Sequence, residues 1–377
     1  PQARRMDLWS PKAYTDATAR QNMHSKEPDL PDVPQTIETA HWYDALTFGV
    51  EGKAFPDTSR FSQRLPDRAR QHLRPELWSK AFTSAGFCVR FRSDSPRLWA
   101  RWRLTELTPV PRGETLLRCA GLDLYARDSN RAWRWAGQGF AGENSADQQA
   151  LLTWSEMDPQ PREYLLYLPL GSACDALHVG TVPGATLDPL PPRTTNAIAF
   201  YGTSIVHGGA ASRPGMAHPH ILGRRLDVPV YNLGFPGQGQ LDLPIADLLG
   251  ELDTAIVVID CLPNCSAEIV ADRAGPFVRR LRDHRPAVPI VLVEEADHPL
   301  AVFSSSRRQE RLEKRATFRA EFRALAEAGI EHLHYIPGGD LFGDDGEATV
   351  DGIHPTDVGF LRQAMVMEPV LRGLLPG

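Results

Sequence analysis

The second half of the chain sets the tightest limit on what it can fold into, because short apolar runs of strand length alternate there with longer stretches of helical spacing. The runs are Ala197 to Gly202, Val228 to Asn232, Ala255 to Asp260, Pro289 to Val293 and His332 to Ile336. Between and after them fall Met216 to Leu226, Leu243 to Leu252, Ala267 to Asp283, Gln309 to Ala328 and Asp357 to Leu374. Apolar runs without polar alternation are buried on both faces, and strands joined through helices run parallel. Within the stretch from Gln309, Phe318, Phe322 and Leu325 recur at i, i+4 and i+7, the stripe of a helix lying on a sheet. Five such units predict a doubly wound α/β domain over 197–377, with a five-stranded parallel sheet between two helix layers. In such sheets the ligand crevice lies beyond the carboxyl ends of the strands.

With 377 residues, 42% of them hydrophobic, the chain is too long for one core and implies two domains. From Trp42-Tyr43-Asp44 to about residue 182 the pattern is short strands broken by Gly, Pro, Asp and Ser, including Phe87 to Arg92, Leu98 to Leu104, Leu122 to Tyr125, Trp133 to Trp135, Tyr164 to Leu168 and Ala176 to Val179. Strands at that spacing without helices between them predict an antiparallel β-sandwich, jelly-roll-like, over 38–182. Its Trp and Arg residues read first as core on one face and solvated surface on the other, with a sugar-stacking platform as the functional alternative. The Pro-rich stretch 183–196 reads as a linker, and residues 1–37 as a surface arm.

A net charge of -6 with no dense Lys/Arg block argues against nucleic acid or an anionic membrane as partner. No apolar run reaches the roughly 18–20 residues of a membrane-spanning helix. Cys88, Cys119, Cys174, Cys261 and Cys265 have neither disulfide-framework nor zinc spacing. The sequence begins at Pro1 rather than Met, which leaves export to a periplasmic or extracellular location open.

The first run of the α/β half ends abruptly in Gly202-Thr203-Ser204, a turn that lifts Ser204 out of the sheet among backbone N–H groups. A serine hydroxyl attacks a carbonyl only when a base takes its proton and a third group steadies the base. Asp351-Gly352-Ile353-His354-Pro355 offers both, with His354 as base and Asp351 as its orienting carboxylate. Acyl transfer further needs donors aimed at the oxyanion. The Ser204 N–H is one; the Gly234 to Gly239 loop supplies a second at the Gly237 N–H; the Asn264 side chain is the third. His207 and Arg213 are candidate substrate contacts, each with an ordinary structural reading beside it. His218 and His220 flank Pro219 without a third ligand nearby, so no metal is expected. The loop 297–307, which follows the fourth run, reads either as a cover over the crevice or as an ordinary surface loop.

Gly202-Thr203-Ser204, the Gly237 loop, Asn264 and Asp351-x-x-His354 resemble, in chain order, the four blocks of the SGNH (GDSL-like) hydrolase superfamily. Gly121-Leu122-Asp123-Leu124-Tyr125 resembles the N-terminal β-domain that precedes one GDSL-like lipase/acylhydrolase branch. One departure is Thr203, where many members carry Asp before the serine. The resemblance implies a flavodoxin-like α/β/α hydrolase with Ser204, His354 and Asp351 as triad, Ser204, Gly237 and Asn264 as oxyanion hole, and no metal or organic cofactor. It also implies a serine esterase acting on a small-molecule or oligosaccharide ester, a carbohydrate O-acetylesterase first of all. A lysophospholipase-type acyl hydrolase and a non-catalytic glycan-binding protein are the alternatives.

Overall fold

The computed structural model describes residues 36–105, 110–142, 145–153 and 157–376, so the arm expected over 1–37 lies almost wholly outside the described residues. Ten strands form two antiparallel sheets. One contains β1 (His41–Asp44), β4 (Leu98–Leu104), β7 (Asp147–Leu151) and β9 (Cys174–Thr181), ordered β1-β9-β4-β7. The other contains β2 (Val50–Glu51), β3 (Cys88–Ser93), β5 (Leu122–Arg127), β6 (Trp133–Gly139), β8 (Arg162–Tyr167) and β10 (Leu187–Leu190), ordered β10-β3-β8-β5-β6 with β2 on β3. The inward positions of β4 (Leu98, Ala100, Trp102, Leu104) meet those of β3, β5 and β8 (Val89, Phe91, Leu122, Leu124, Leu166) in one core, while Arg101 and Arg103 point to solvent. Period-two alternation therefore makes the sandwich.

The parallel sheet has the order β12-β11-β13-β14-β15, from β11 (Ile198–Gly202), β12 (Val230–Gly234), β13 (Ile256–Asp260), β14 (Ile290–Val293) and β15 (Leu333–Ile336). Alternate residues of its central strands feed two cores. Ala199, Tyr201, Val257 and Ile259 pack with α5 (Leu243–Gly250), α6 (Ala267–His284) and α8 (Ser305–Glu327). Ile198, Phe200, Ile256 and Val258 pack with α4 (His218–Leu226) and α9 (Asp357–Leu374). Phe318 and Leu325 of the α8 stripe are fully buried, and Phe322 is partly so. Among the described residues the short α-helices are α1 (Pro75–Trp78), α2 (Leu116–Ala120) and α7 (Leu300–Phe303), with α3 (Ser204–His207) treated below. The result is a flavodoxin-like three-layer α/β/α domain preceded by an antiparallel β domain.

Two boundaries differ from the sequence reading. The stretch 183–196 is not free linker, because β10 within it pairs antiparallel with β3, Leu187 opposite Ser93 and Pro189 opposite Phe91. Pro189 is tolerated because β10 is an edge strand and need donate on one side only. Second, the stretch between β2 and β3 leaves the sandwich: Phe55, Leu65, Leu73 and Leu77 bury themselves in the α5/α6 core of the α/β domain.

Candidate active site

β11 ends at Gly202, the side chain of Thr203 accepts a hydrogen bond from Ile205 N–H at 3.2 Å, and the single turn of α3 stops at Gly208 with φ 95°. This strand, cap and one-turn helix place Ser204 at the first helical position, where an N–H has no intrahelical acceptor. Some 150 positions further along the sequence, the Asp351–His354 turn leads into α9. Ser204 Oγ lies 2.9 Å from His354 Nε2, and His354 Nδ1 lies 2.8 Å from Asp351 Oδ2. The second carboxylate oxygen accepts from His354 N–H at 2.8 Å and Ile353 N–H at 3.0 Å. An ionised carboxylate only accepts, so Nδ1 carries the ring proton and Nε2 is left to accept from the serine. Burial opposes the charge on Asp351, but the His354 ring and the two backbone N–H groups outweigh it and hold the carboxyl below its usual range. The arrangement is competent to deprotonate a serine hydroxyl.

Asn264 closes a 3₁₀ turn after β13, and its Oδ1 accepts from Gly239 N–H at 3.3 Å, which leaves the amide NH₂ to donate elsewhere. Gly239 is packed hard on the Gly202–Thr203 backbone, so Asn264 is fixed to the strand end that carries Ser204. Gly237 stands two residues further out, exposed, at φ 73°, with no described group accepting from its N–H. Sequence reasoning missed the groups that hold this loop. Arg64, almost fully buried, donates to Asn232 O at 3.1 Å and Gly234 O at 2.8 Å, and Arg74 reaches Gln238 Oε1 at 2.6 Å and Asp242 Oδ1 at 2.7 Å. Both come from the stretch between β2 and β3, more than 150 positions away in sequence, and no local signal marks them. Burial lowers the Arg64 guanidinium to about 9.

Two candidate substrate contacts are corrected. His207 is 3% exposed; its Nδ1 accepts from Arg118 Nη2 at 2.8 Å and its Nε2 lies 3.2 Å from Thr83 Oγ1, so both ring nitrogens are engaged inside the protein. Burial, then the Arg118 charge, pushes it far below the usual histidine range and keeps it neutral. Arg213 turns to the β domain, where Nη1 meets Asp123 Oδ2 at 2.7 Å and Tyr125 Oη at 2.5 Å. Asp123 also accepts from Gly215 N–H at 2.7 Å, so the Gly121–Tyr125 segment latches the two domains together. His218 and His220 are buried apart from any ligand set, His220 donating through Nδ1 to Pro214 O at 2.7 Å. Among the described residues no cluster of His, Cys, Asp and Glu could hold a metal ion, the five cysteines are free and buried, and no helix is long and apolar enough to cross a membrane.

The loop expected over 297–307 contains α7, which sits on the Asp351–His354 turn with Leu300 against Gly352 Cα. Against it is a slot of about 150 Å³ lined by Leu300 and Ala301 of α7, Ile353, and the charged Glu295, Arg311 and Lys314. Glu295 is shared by Lys314 Nζ at 2.7 Å and His298 Nε2 at 3.0 Å.

A parallel five-stranded sheet with a serine, an imidazole and a carboxylate in line at its carboxyl edge, behind an antiparallel β domain, defines a class of α/β/α fold. Comparison narrows it. Residues 195–372 match the GDSL-like Lipase/Acylhydrolase family, and residues 40–187 match the GxDLY domain, the N-terminus of the SGNH hydrolase-type esterases. The chain belongs to the GDSL-like lipase/acylhydrolase branch of the SGNH hydrolase superfamily that carries this N-terminal domain. Among solved structures, a candidate GDSL-like lipase from Bacteroides ovatus is 28% identical with a TM-score of 0.82, covering 89% of this chain and 98% of its own. The salicylyl-acyltransferase SsfX3 of a tetracycline biosynthetic pathway is 19% identical with a TM-score of 0.71, covering 90% and 99%. A family two carbohydrate esterase from Cellvibrio japonicus is 14% identical with a TM-score of 0.55, covering 89% and 98%. No curated protein sequence matches the chain.

Proposed function

We propose that the chain is a serine esterase that removes short acyl groups, acetyl first of all, from a carbohydrate through an acyl-enzyme. The unbroken line Ser204 Oγ, His354, Asp351 carries this reading. In the first half-reaction Ser204 Oγ attacks the ester carbonyl carbon while its proton passes to His354 Nε2, and Asp351 stabilises the imidazolium. The negative oxygen that develops is met by the N–H groups of Ser204 and Gly237 and the Asn264 amide. His354 returns the proton to the departing alkoxide, and the alcohol leaves. Water then repeats the sequence on the acyl-serine, releasing the acid and restoring Ser204.

Support for a polar alcohol and a short acyl group comes from the slot against α7. Its charged lining, including Glu295, Arg311 and Lys314, would have to be dehydrated by a long alkyl chain, a cost that a hydroxyl-rich sugar offsets with hydrogen bonds. The similar fold of a carbohydrate esterase agrees with this. The lysophospholipase-type reading is favoured by one observation, the exposed Leu300, Val302 and Phe303 of α7, Phe303 at 88% exposure. Aryl acetate against aryl octanoate separates the two: faster turnover of acetate is expected, and a preference for octanoate transfers the assignment to lipid-type substrates. Fluorophosphonate should label wild type and not Ser204→Ala; a folded, unlabelled wild type would leave a glycan-binding protein as the remaining reading.

A further inference from the structure

An open cleft of about 560 Å³ lies where the β domain meets α4 and α9. Arg127, Arg131, Arg213, Arg224 and Arg225 line it against a single lining carboxylate, Asp227. In a chain of net charge -6 this is a marked local excess of one sign. Ion pairs with protein carboxylates account for three of the five: Arg213 with Asp123 at 2.7 Å, Arg127 with Asp227 at 2.5 Å, and Arg225 with Glu368 at 2.5 Å. Asp227 is itself divided, since Arg193 also pairs with it at 2.8 Å.

The other two guanidinium groups form no ion pair with a carboxylate among the described residues, although the Asp123 charge acts on Arg224 from a distance. Arg224 donates to the Gly215 carbonyl at 2.7 Å and lies 3.8 Å over the Tyr125 ring. Arg131, at φ 61° in the β5–β6 turn, makes no side-chain hydrogen bond or ion pair among the described residues. Beside them stand the Trp133 indole, with Arg127 over its face at 4.1 Å, and the Asn130 amide. Guanidinium groups bind carboxylates through paired hydrogen bonds, an amide can serve a hydroxyl as donor or acceptor, and aromatic rings take the C–H face of a sugar. The cleft also connects with the catalytic turn. The loop bearing Arg213 approaches His354 at Gly209 and is tied by Ser212 N–H to Asp357 at 2.9 Å, just past the histidine.

We propose that this cleft anchors a carboxylate-bearing sugar unit of an acidic oligosaccharide, at a distance along the chain from the unit whose ester meets Ser204. The inference rests on the carbohydrate reading of the esterase and adds to it a class of substrate, O-acylated glycans containing uronic acids. The full chain carrying Ser204→Ala is titrated calorimetrically with trigalacturonate, with its fully methyl-esterified form and with sodium sulfate. Trigalacturonate should bind, the neutral methyl ester at least tenfold more weakly, and sulfate more weakly still. Adding Arg131→Glu, an exposed position whose change leaves the core untouched, should weaken trigalacturonate at least tenfold. Raising NaCl from 50 to 500 mM should weaken it as well. Equal binding of acid and methyl ester, sulfate binding as tightly as the trimer, or an unaltered affinity in the Arg131→Glu protein would each overturn the proposal. Aryl acetate turnover by wild type, measured alongside, reports on the esterase separately: turnover without trigalacturonate binding removes the cleft alone.

Discussion

Asp260 and the histidines behind the site show how far a residue's chemistry depends on depth, which a sequence does not record. Asp260 ends β13 opposite Gly202, almost fully buried. Burial, reinforced by the Glu295 charge and opposed by the Gln363 amide at 3.1 Å, pushes its carboxyl up to about 7. Because the folded value lies above the unfolded one, its contribution is complete below pH 4. It is lost as pH rises towards 7 and beyond, on the order of 4 kcal/mol in all. His218 and His220, lowered by burial to about 3 and about 4, act in the opposite direction and lose stability as pH falls below the ordinary histidine range. Asp260→Asn should therefore raise Tm at pH 8.5 relative to wild type and lose that advantage at pH 4.5; the same difference at both values would mean that Asp260 is not desolvated. The grouping of Ser204, His354 and Asp351 is legible because Gly202-Thr203-Ser204 closes a strand and Asp351-x-x-His354 is a compact motif just ahead of a helix. For His207 and Arg213 the structural reading prevails over substrate contact, because each lies beside those motifs in sequence while its side chain is claimed by the β domain or by residues packed against it.

At the scale of elements, legibility followed burial. The three central strands of the parallel sheet, β11, β13 and β14, are buried on both faces and read as apolar runs, while the edge strands β12 and β15, which carry Tyr231, Asn232, His334 and Tyr335, are legible from their regular alternation with helices. β7, Asp-Gln-Gln-Ala-Leu, and β10, with Pro189, are edge strands and carry no such signal. The loop after β12 was recognised by its glycines, yet Gly237 and Gly239 differ. A Cβ on Gly237 would meet nothing within 4 Å, whereas one on Gly239 would drive into the carbonyl of Gly202 and the backbone beside Ser204. Gly239→Ala should thus force the loop off β11, carrying Asn264 with it. The expected result is a loss of aryl acetate turnover of 10²-fold or more, with a lower Tm, since backbone cannot yield as a side chain tip can. A variant with wild-type turnover and Tm would show that the loop has slack that this packing does not allow.

The whole molecule is divided differently from its two sequence patterns. The chain between β2 and β3 belongs by sequence to the N-terminal half, but it closes one face of the α/β domain. Phe55, Leu65, Leu73 and Leu77 enter that core, and burying them contributes about 6–12 kcal/mol at typical side-chain values. Arg64 and Arg74 from the same stretch hold the carbonyls and side chains of the Asn232–Asp242 segment, and the Arg213–Asp123 pair fastens the other side. Long-range contacts of this kind leave no periodicity, so nothing in the sequence distinguished them from ordinary loop residues. A fragment of residues 195–377 retains every proposed catalytic side chain but exposes the α5/α6 face and releases the Gly234–Gly239 loop. It should therefore be recovered aggregated or as a molten state that binds a hydrophobic dye, with no aryl acetate turnover. Co-expression with residues 36–194 should restore a soluble, active complex; a monomeric, active 195–377 fragment would show that the N-terminal half is an appendage rather than part of the catalytic core.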